Sequence, residues 1–395
     1  MTAVSPFHPR TSGLNAKLAW SEWATYLSPA GYADMHDIEY TAVREAAAVF
    51  DVSPLYKYIV SGPDAVRLVD RVITRDATRI QVGQVAYTPW CDEAGKVVDD
   101  GTVARLDETR FRWTAADPQY RWLGMNAAGL DVEIEDVTDA VAALALQGPR
   151  SRAVLESVTG EEWGSLGYFR RRPCTIAGAE VDVSRTGYTG DLGYELWIPA
   201  AAALDVWDAL FAAGEQHGIR PAGLRALDVV RVEAGLILIE VDYTSVMRAT
   251  TPAHEYSPFE IGLGRLVNFE KAQFVGRRAL LRERSDGGPP RRLVGLELDW
   301  PGIEEAFARH GLAPAVQATV NRDPVPVFYA GGQVGKATST CWSPTLKKMI
   351  ALASLDAGVR TGAPLEIEWS VEGERGRVRA TAVDLPFLDL ERRRT

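Results

Sequence analysis

Cysteine is scarce in this chain of 395 residues: Cys91, Cys174 and Cys341 stand far apart and are odd in number. Such a set builds neither a disulfide framework nor a thiolate metal cluster. The five histidines show no His-x3-His pairing, so a protein-bound metal is not expected. No run of about 18 apolar residues occurs, which excludes a hydrophobic membrane-spanning helix. The opening residues, MTAVSPFHPRTSGLNAK, lack the basic start and apolar stretch of a signal peptide, so a reducing cytoplasm is the expected compartment. Positive charge is not in excess. The net charge is −10 and the pI about 5.2, which argues against a general nucleic-acid binder. The basic runs Arg170–Arg172 and Arg392–Arg394 read as solvated surface. Internal repeats and low-complexity segments are also missing.

What remains is an ordinary globular composition, 46% hydrophobic and 24% charged, long enough for two or three domains. Helical and β-rich segments alternate. Residues 37–50 read as a helix capped by Asp37, and 62–73 as a helix with Pro63 just inside its start. Residues 82–106 read as two strands joined by a turn at Asp92–Gly95. A strand over 108–117 and a helix ending at Gly129 follow. The apolar run VAALALQGP begins a second cycle, with a helix to Val158, strands around 174–176 and 181–185, and helices over 201–218 and 221–235. The segment RERSDGGPPRR, residues 282–292, reads as a linker with nothing to bury. Short strands at close spacing follow it and predict a small antiparallel barrel or sandwich. The fold class is α+β.

Three constellations carry candidate chemistry. The stretch SRTGYTGDLGYEL, residues 184–196, sets Glu195 on a probable strand, facing opposite to Tyr194 and Leu196. It is either a solvent-facing glutamate or a carboxylate offered to a flat heterocycle with two adjacent N–H donors. Gly187, Gly190 and Gly193 would let a ring approach the backbone, or serve turn geometry alone, while Tyr188 offers a stacking face. In DEAGKVVDDGTV, alternation sends Asp99 and Asp100 to opposite faces, so at most one enters a pocket. A buried carboxylate there, with Gly101 leaving room, would hold or move a proton on a nearby amine. An Asp-Asp-Gly turn is the plain alternative. Finally, Arg225, Asp228 and Arg231 share a helix face at three-residue spacing, which suits a charge ladder.

Together with VREAAAVFDVS (43–53), LALQGP (144–149), PFEIGLGRLV (258–267), FVGRRAL (274–280) and SPTLKKMIALA (343–353), these stretches resemble the tetrahydrofolate-binding aminomethyltransferases of the glycine-cleavage T-protein type. They occur in the family's order over about residues 37–386. The resemblance implies a three-lobed cloverleaf. Residues 11–285 would form a two-lobed folate-binding region and 291–386 a β-barrel-like C-terminal domain, with tetrahydrofolate in the central channel. Carried over motif by motif, Asp100 lies beside the reactive folate nitrogens and Glu195 pairs with the pterin edge. Tyr87 and Tyr188 line the channel. The family's arginine of Ala-Arg-Asp is Leu227 here, so its folate contact would fall to Arg225 or Arg231.

Other departures matter as much. Pro54–Tyr58 stands where T-proteins carry His-Met, Gly95–Lys96 replaces their Gly-Gly, and Thr114 their asparagine. The segment IEVDYTSVMRATTPAHEYSPFE is longer, adding Tyr243, His254 and Tyr256. This pattern resembles the family's divergent branch of folate-dependent O-demethylases and the dimethylsulfoniopropionate demethylase. The expected activity is transfer of a methyl group from a small O-, N- or S-methylated substrate, a methoxylated aromatic acid being favoured, to N5 of tetrahydrofolate. An ether needs an acid for its leaving oxygen, and Tyr243 is the candidate, with Tyr32, His254 and Tyr256 as pocket walls. The alternatives are an aminomethyltransferase served by a lipoyl-carrier protein, and a non-enzymatic folate binder. Against the last, KAQFVGR (271–277) lacks the cysteine of the iron–sulfur assembly members. Neither nucleic acid nor a membrane is an expected partner.

Overall fold

The computed structural model describes residues 2–316 and 319–394. Three sheets, each the centre of a lobe, account for most of the chain, and a small three-stranded sheet near the N-terminus joins them. The first large sheet has the strand order Val85–Cys91, Val97–Arg105, Arg110–Ala115, Tyr56–Ser61, Glu133–Asp136. Because side chains alternate, one face buries Tyr58, Val60, Val103, Phe111 and Trp113 against the helices Ala65–Val72 and Tyr120–Asn126. Trp90 and Trp113 meet edge-on there, 4.8 Å apart. The opposite face carries a polar row set by strand register: Lys57 opposite Thr114, Thr114 opposite Thr102, and Thr102 opposite Tyr87.

The second sheet runs Arg171–Ile176, Ala179–Ser184, Gly193–Pro199, Val141–Gln147, Ala47–Asp51, Ile219–Pro221. Leu144, Leu146, Tyr194, Leu196 and Ile198 face the helices Ser151–Thr159 and Ala203–Gly214. The other face holds Phe50, Ala143, Ala145 and Trp197 with the helix Leu224–Glu233, and on it Glu195 pairs with Ala145. Each large apolar side chain taken from water here contributes about 1.5–3 kcal/mol. The third sheet closes into a six-stranded barrel from Arg291–Leu298 to Glu374–Val383. The tail beyond it returns to the second lobe. Leu388 N–H donates to the Glu233 carbonyl at 2.9 Å, and Arg392 Nε reaches Asp191 at 2.6 Å.

Several sequence readings are corrected by long-range pairing. The helix expected over 37–50 is His36–Glu45, and Ala47–Asp51 is a strand held between Val141–Gln147 and Ile219–Pro221. Its N-cap position is Met35, with Asp37 in the first turn. Pro221 ends a parallel strand, and the helix after it begins at Leu224. The supposed linker is helical through Ser285, and its Arg291 already bonds Glu260 at 2.8 Å. Nor are the arginine runs merely solvated. Arg171 Nε lies 2.6 Å from Asp182, Arg172 stacks on Trp163, and Arg392 is bound to the buried Asp191. No helix among the described residues is long and apolar enough to cross a membrane.

Candidate active site

Strand alternation at Val97–Arg105 separates the two adjacent aspartates. Asp99 turns inward and accepts the backbone N–H groups of Asp100 and Asp117, at 2.7 and 3.0 Å, with Gln119 Nε2 at 3.3 Å. Asp100 turns to the other face. Its Oδ2 accepts the Tyr87 hydroxyl at 2.5 Å and its Oδ1 the hydroxyl of Tyr243. Burial pushes the Asp100 carboxyl above its ordinary range, and the two phenol donors pull it back down. Burial and the neighbouring Asp100 charge push Asp99 up further. Burial, with the Asp100 charge, also holds Tyr87 and Tyr243 well above the usual phenol range, so both keep their protons. Such a carboxylate can stabilise a positive charge beside it or take a proton from it.

Tyr243 reaches Asp100 because the segment before it is pinned. Arg231, 1% exposed, donates through Nε to Asp228 at 2.9 Å and through Nη1 to Asp242 at 2.5 Å and the Leu236 carbonyl at 3.3 Å. Its Nη2 donates to Ser339 Oγ of the barrel at 2.7 Å. Asp242 also accepts Leu238 N–H, Thr338 and Ser339. Most donors of Arg231 are therefore spent on the protein, and the residue ties helix, loop and barrel together behind Tyr243. Arg225 is exposed, and the second partner of Asp228 is Arg322 at 2.7 Å instead.

Glu195 lies on the second sheet. Its Oε2 accepts the hydroxyl of Thr186, while Oε1 accepts nothing from the described residues. Burial pushes its carboxyl up; Thr186 and the Arg112 charge oppose this. Arg112 comes from the first sheet, on the face that carries Asp100. It lies 4.1 Å over the Trp197 ring and 2.5 Å from Asp182, so the two sheets meet at this point. The hydroxyl of Tyr188 donates to the Ile237 carbonyl, and burial raises its pKa. Of the glycines, Gly190 has the positive φ of the turn alternative, while Gly187 and Gly193 make room for a protein group. A Cβ on Gly187 or Gly193 would overlap the Gln147 carboxamide. That amide accepts Thr189 Oγ1 at 2.8 Å and donates to the Thr186 carbonyl at 3.3 Å, shaping the stretch from beneath. Gly101 likewise makes room for the Thr114 carbonyl rather than for a ligand.

The remaining candidates divide. Tyr256 packs edge-on against Tyr243, 6.5 Å between ring centres, and its buried hydroxyl has no hydrogen-bond partner among the described residues. His254 is half-buried at the end of the otherwise exposed turn Pro252–His254, with Nδ1 3.1 Å from Thr250 Oγ1. Tyr32 is buried against Glu39, whose Oε1 accepts its backbone N–H at 2.5 Å, and its electrostatic neighbours are Asp51 and Glu39. Neither His254 nor Tyr32 is brought to Asp100 or Tyr243 by any of these contacts. Sequence reasoning missed Thr186, Arg112 and Asp242. Thr186 stood within the glycine-rich stretch and Asp242 beside Tyr243, whereas nothing local marked Arg112. Two surface hollows, of about 510 and 200 Å³, contain none of these residues.

The family model described as the GCVT N-terminal domain matches residues 7–271, and that of the glycine cleavage T-protein C-terminal barrel domain matches 291–389. An aminomethyltransferase of Moorella thermoacetica is 38% identical over 389 residues, 97% of each chain. A trimethylamine-oxide aldolase of Ruegeria pomeroyi is 38% identical over 370 residues, 90% of this chain and 43% of that longer protein. The crystal structure of glycine cleavage system aminomethyltransferase T from Bartonella henselae superposes with a TM-score of 0.82 at 25% identity, over 98% of this chain and 99% of the other. The cloverleaf with its C-terminal barrel, and the ordered match along both halves, lead to one conclusion: the chain belongs to the glycine-cleavage T-protein family of aminomethyltransferases, which use tetrahydrofolate.

Proposed function

We propose that the protein is a tetrahydrofolate-dependent demethylase, moving a methyl group from a small methylated donor to N5 of tetrahydrofolate. The observation that carries this reading is the half-buried Asp100 carboxylate with a phenol hydroxyl on each oxygen. The chain's residues fit a reduced pteridine. Oε1 of Glu195 has no partner among the described residues and feels the Arg112 charge, so it would accept an N–H donor of the pterin edge. Tyr87, Tyr188 and Asp100 would line the same space, and Arg231 would serve it indirectly by holding the loop that bears Tyr243. When bound, tetrahydrofolate supplies N5 as the acceptor nitrogen.

Asp100 stabilises positive charge at the reacting centre, and its two phenols fix where that negative charge sits. Tyr243 already donates its one proton to Asp100 and holds it above the usual phenol range. It is therefore a weak acid for a departing phenoxide. A methylated ammonium or sulfonium leaves as a neutral molecule, so what remains is the positive charge and proton left on the acceptor nitrogen, which the Asp100 carboxylate would stabilise and take up. N- and S-methylated donors accordingly rank ahead of the methoxylated aromatic acid that the sequence favours, and Tyr256, beside Tyr243, is the candidate donor wall. The relative named for trimethylamine oxide supports an N-methyl donor.

A second reading, aminomethyl transfer, is favoured by relatives of that name at 35–38% identity over nearly the whole chain. One assay separates the two. The purified chain is incubated with tetrahydrofolate and a panel of methylated amines, sulfonium compounds and methoxybenzoates. Formation of 5-methyltetrahydrofolate supports demethylation. Formation of 5,10-methylenetetrahydrofolate from an aminomethyl donor alone supports the second reading. Folate binding without either product would leave a non-enzymatic folate binder.

A further inference from the structure

Most buried or half-buried arginines around the site have a carboxylate partner: Arg231 has Asp228 and Asp242, Arg44 has Glu233 and Asp191, and Arg112 has Asp182. Arg75 and Arg265 have none among the described residues. Arg75 is half-buried, and its Nη1 donates to the backbone carbonyl of Tyr87 at 3.3 Å. Tyr87 is the residue whose hydroxyl bonds Asp100. Arg265 is exposed, in the short turn Gly264–Leu266. Thr74 ties Arg75 to the strand of Tyr87 by one bond and to the segment that carries Arg265 by two. Thr74 N–H donates to the Pro89 carbonyl at 3.2 Å, Thr74 Oγ1 donates to the Leu266 carbonyl at 3.1 Å, and the Thr74 carbonyl accepts Asn268 N–H at 2.9 Å. Burial and then the Arg265 charge lower the Arg75 guanidinium from its ordinary value, which agrees with that proximity. Nearby acids are already engaged: Asp76 and Glu270 with Arg79, and Asp70 with Lys271. Two like charges without a counter-ion, one of them half-buried, are costly unless an anion joins them. Planar guanidinium forks suit a carboxylate.

We infer that Arg75 and Arg265 form a carboxylate subsite at the edge of the active site, one residue removed from Asp100 through Tyr87. This rests on the folate-dependent reading above. The carboxylate belongs either to the glutamyl tail of the folate or to the one-carbon donor.

Calorimetry on the full chain tests the subsite. The tail arm compares tetrahydropteroate, which has no glutamate, with the mono- and triglutamyl forms, in wild type and in Arg75→Gln/Arg265→Gln. The donor arm compares dimethylglycine with dimethylamine in the same proteins. If the tail binds here, wild-type affinity rises about tenfold along the glutamyl series, less at high salt, and the double variant loses the rise while binding tetrahydropteroate as before. If the donor binds here, the variant instead loses a wild-type preference for dimethylglycine. Identical series in both proteins on both arms would overturn the subsite and leave the demethylase proposal standing. Failure of wild type to bind any of the three pterins would sink the folate reading itself. Should the double variant not fold, Arg265→Gln at the exposed residue gives the same comparison, and Arg75→Lys/Arg265→Lys should restore part of the rise.

Discussion

On the first sheet Asp100 has both oxygens taken by phenols, whereas on the second Glu195 has one oxygen on Thr186 and the other without a partner among the described residues. Both are raised by burial and both are partly rescued by hydroxyl donors. The difference lies in what is left over. A saturated carboxylate has its position and charge fixed before anything binds, which is what electrostatic stabilisation of a reacting centre requires. A carboxylate with a spare acceptor is incomplete until a donor arrives, which is what recognition requires. On the proposed reading the two sheets would divide chemistry from binding. The sharpest way to break that division is Asp100→Asn. The amide removes the charge and turns an N–H toward a phenol donor. Turnover should fall by about 10²–10⁴-fold while tetrahydrofolate affinity stays within about threefold. Initial rates at saturating folate, with calorimetry alongside, would check both. A matching loss of affinity would show that Asp100 binds rather than reacts.

Saturation is not the same as neutrality, and Lys57 shows the difference on the same sheet face as Asp100. Its buried Nζ donates to the Ser53 and Leu55 carbonyls, each at 2.7 Å, with no carboxylate in contact. Burial lowers its pKa from 10.5 to about 8, against the opposing pull of Asp51, Asp139 and Asp136. Between those values the unfolded chain holds more protons than the folded one, so stability rises with pH across that window, and the cost of the buried charge is full below about 8. Lys57→Met loses that titration and leaves two carbonyls unpaired. The stability of wild type relative to the variant should therefore grow between pH 8 and 10.5, by up to about 3 kcal/mol. Urea midpoints at several pH values would measure it, and a flat difference would assign Lys57 an ordinary pKa.

How much of this was legible in the sequence depended on distance along the chain. The two strands and turn of 82–106 and the separation of Asp99 from Asp100 follow from period-two alternation, and the structure has them at Val85–Cys91 and Val97–Arg105; for Glu195 alternation set only the face opposite Tyr194 and Leu196 and left open what that face meets. The break at Ala46 did not show. Glu, Ala and Val in VREAAAVF suit a helix, and only pairing with residues about a hundred positions later makes Ala47–Asp51 a strand. The glycines of 184–196 signalled close approach correctly but not its object, because Gln147 comes from another strand. Arg112 on Trp197 and Arg392 on Asp191 are tertiary pairs with no local signature. The resemblance to a known family supplied the roles that spacing alone left open.

Glu195→Gln sharpens the other side of the comparison. The amide keeps one acceptor and loses the charge, so tetrahydrofolate affinity should weaken by about 10–100-fold, the value of one charge-assisted bond of about 1.5–3 kcal/mol. Turnover at saturating folate should stay near wild type. Separate titration and saturation kinetics would tell these apart, and a loss confined to turnover would merge the two carboxylates into one role.

The smallest effect probes how Asp100 is tuned. The hydroxyls of Tyr243 and Tyr87 each bond its charged form and so hold its pKa down against burial. Removing one donor favours the protonated acid. An activity that needs the carboxylate ionised has an acid limb, and burial already sets that limb above the ordinary carboxylate range. Tyr243→Phe and Tyr87→Phe should each move it to higher pH, by up to about one unit. Glu195→Gln should leave it where it is, because Glu195 is not among the groups acting on Asp100. The pH dependence of kcat/KM for the three variants reads this directly. Equal limbs in all three would mean that the phenols position Asp100 without tuning it, and the distinction between a saturated and an incomplete carboxylate would then be one of geometry alone.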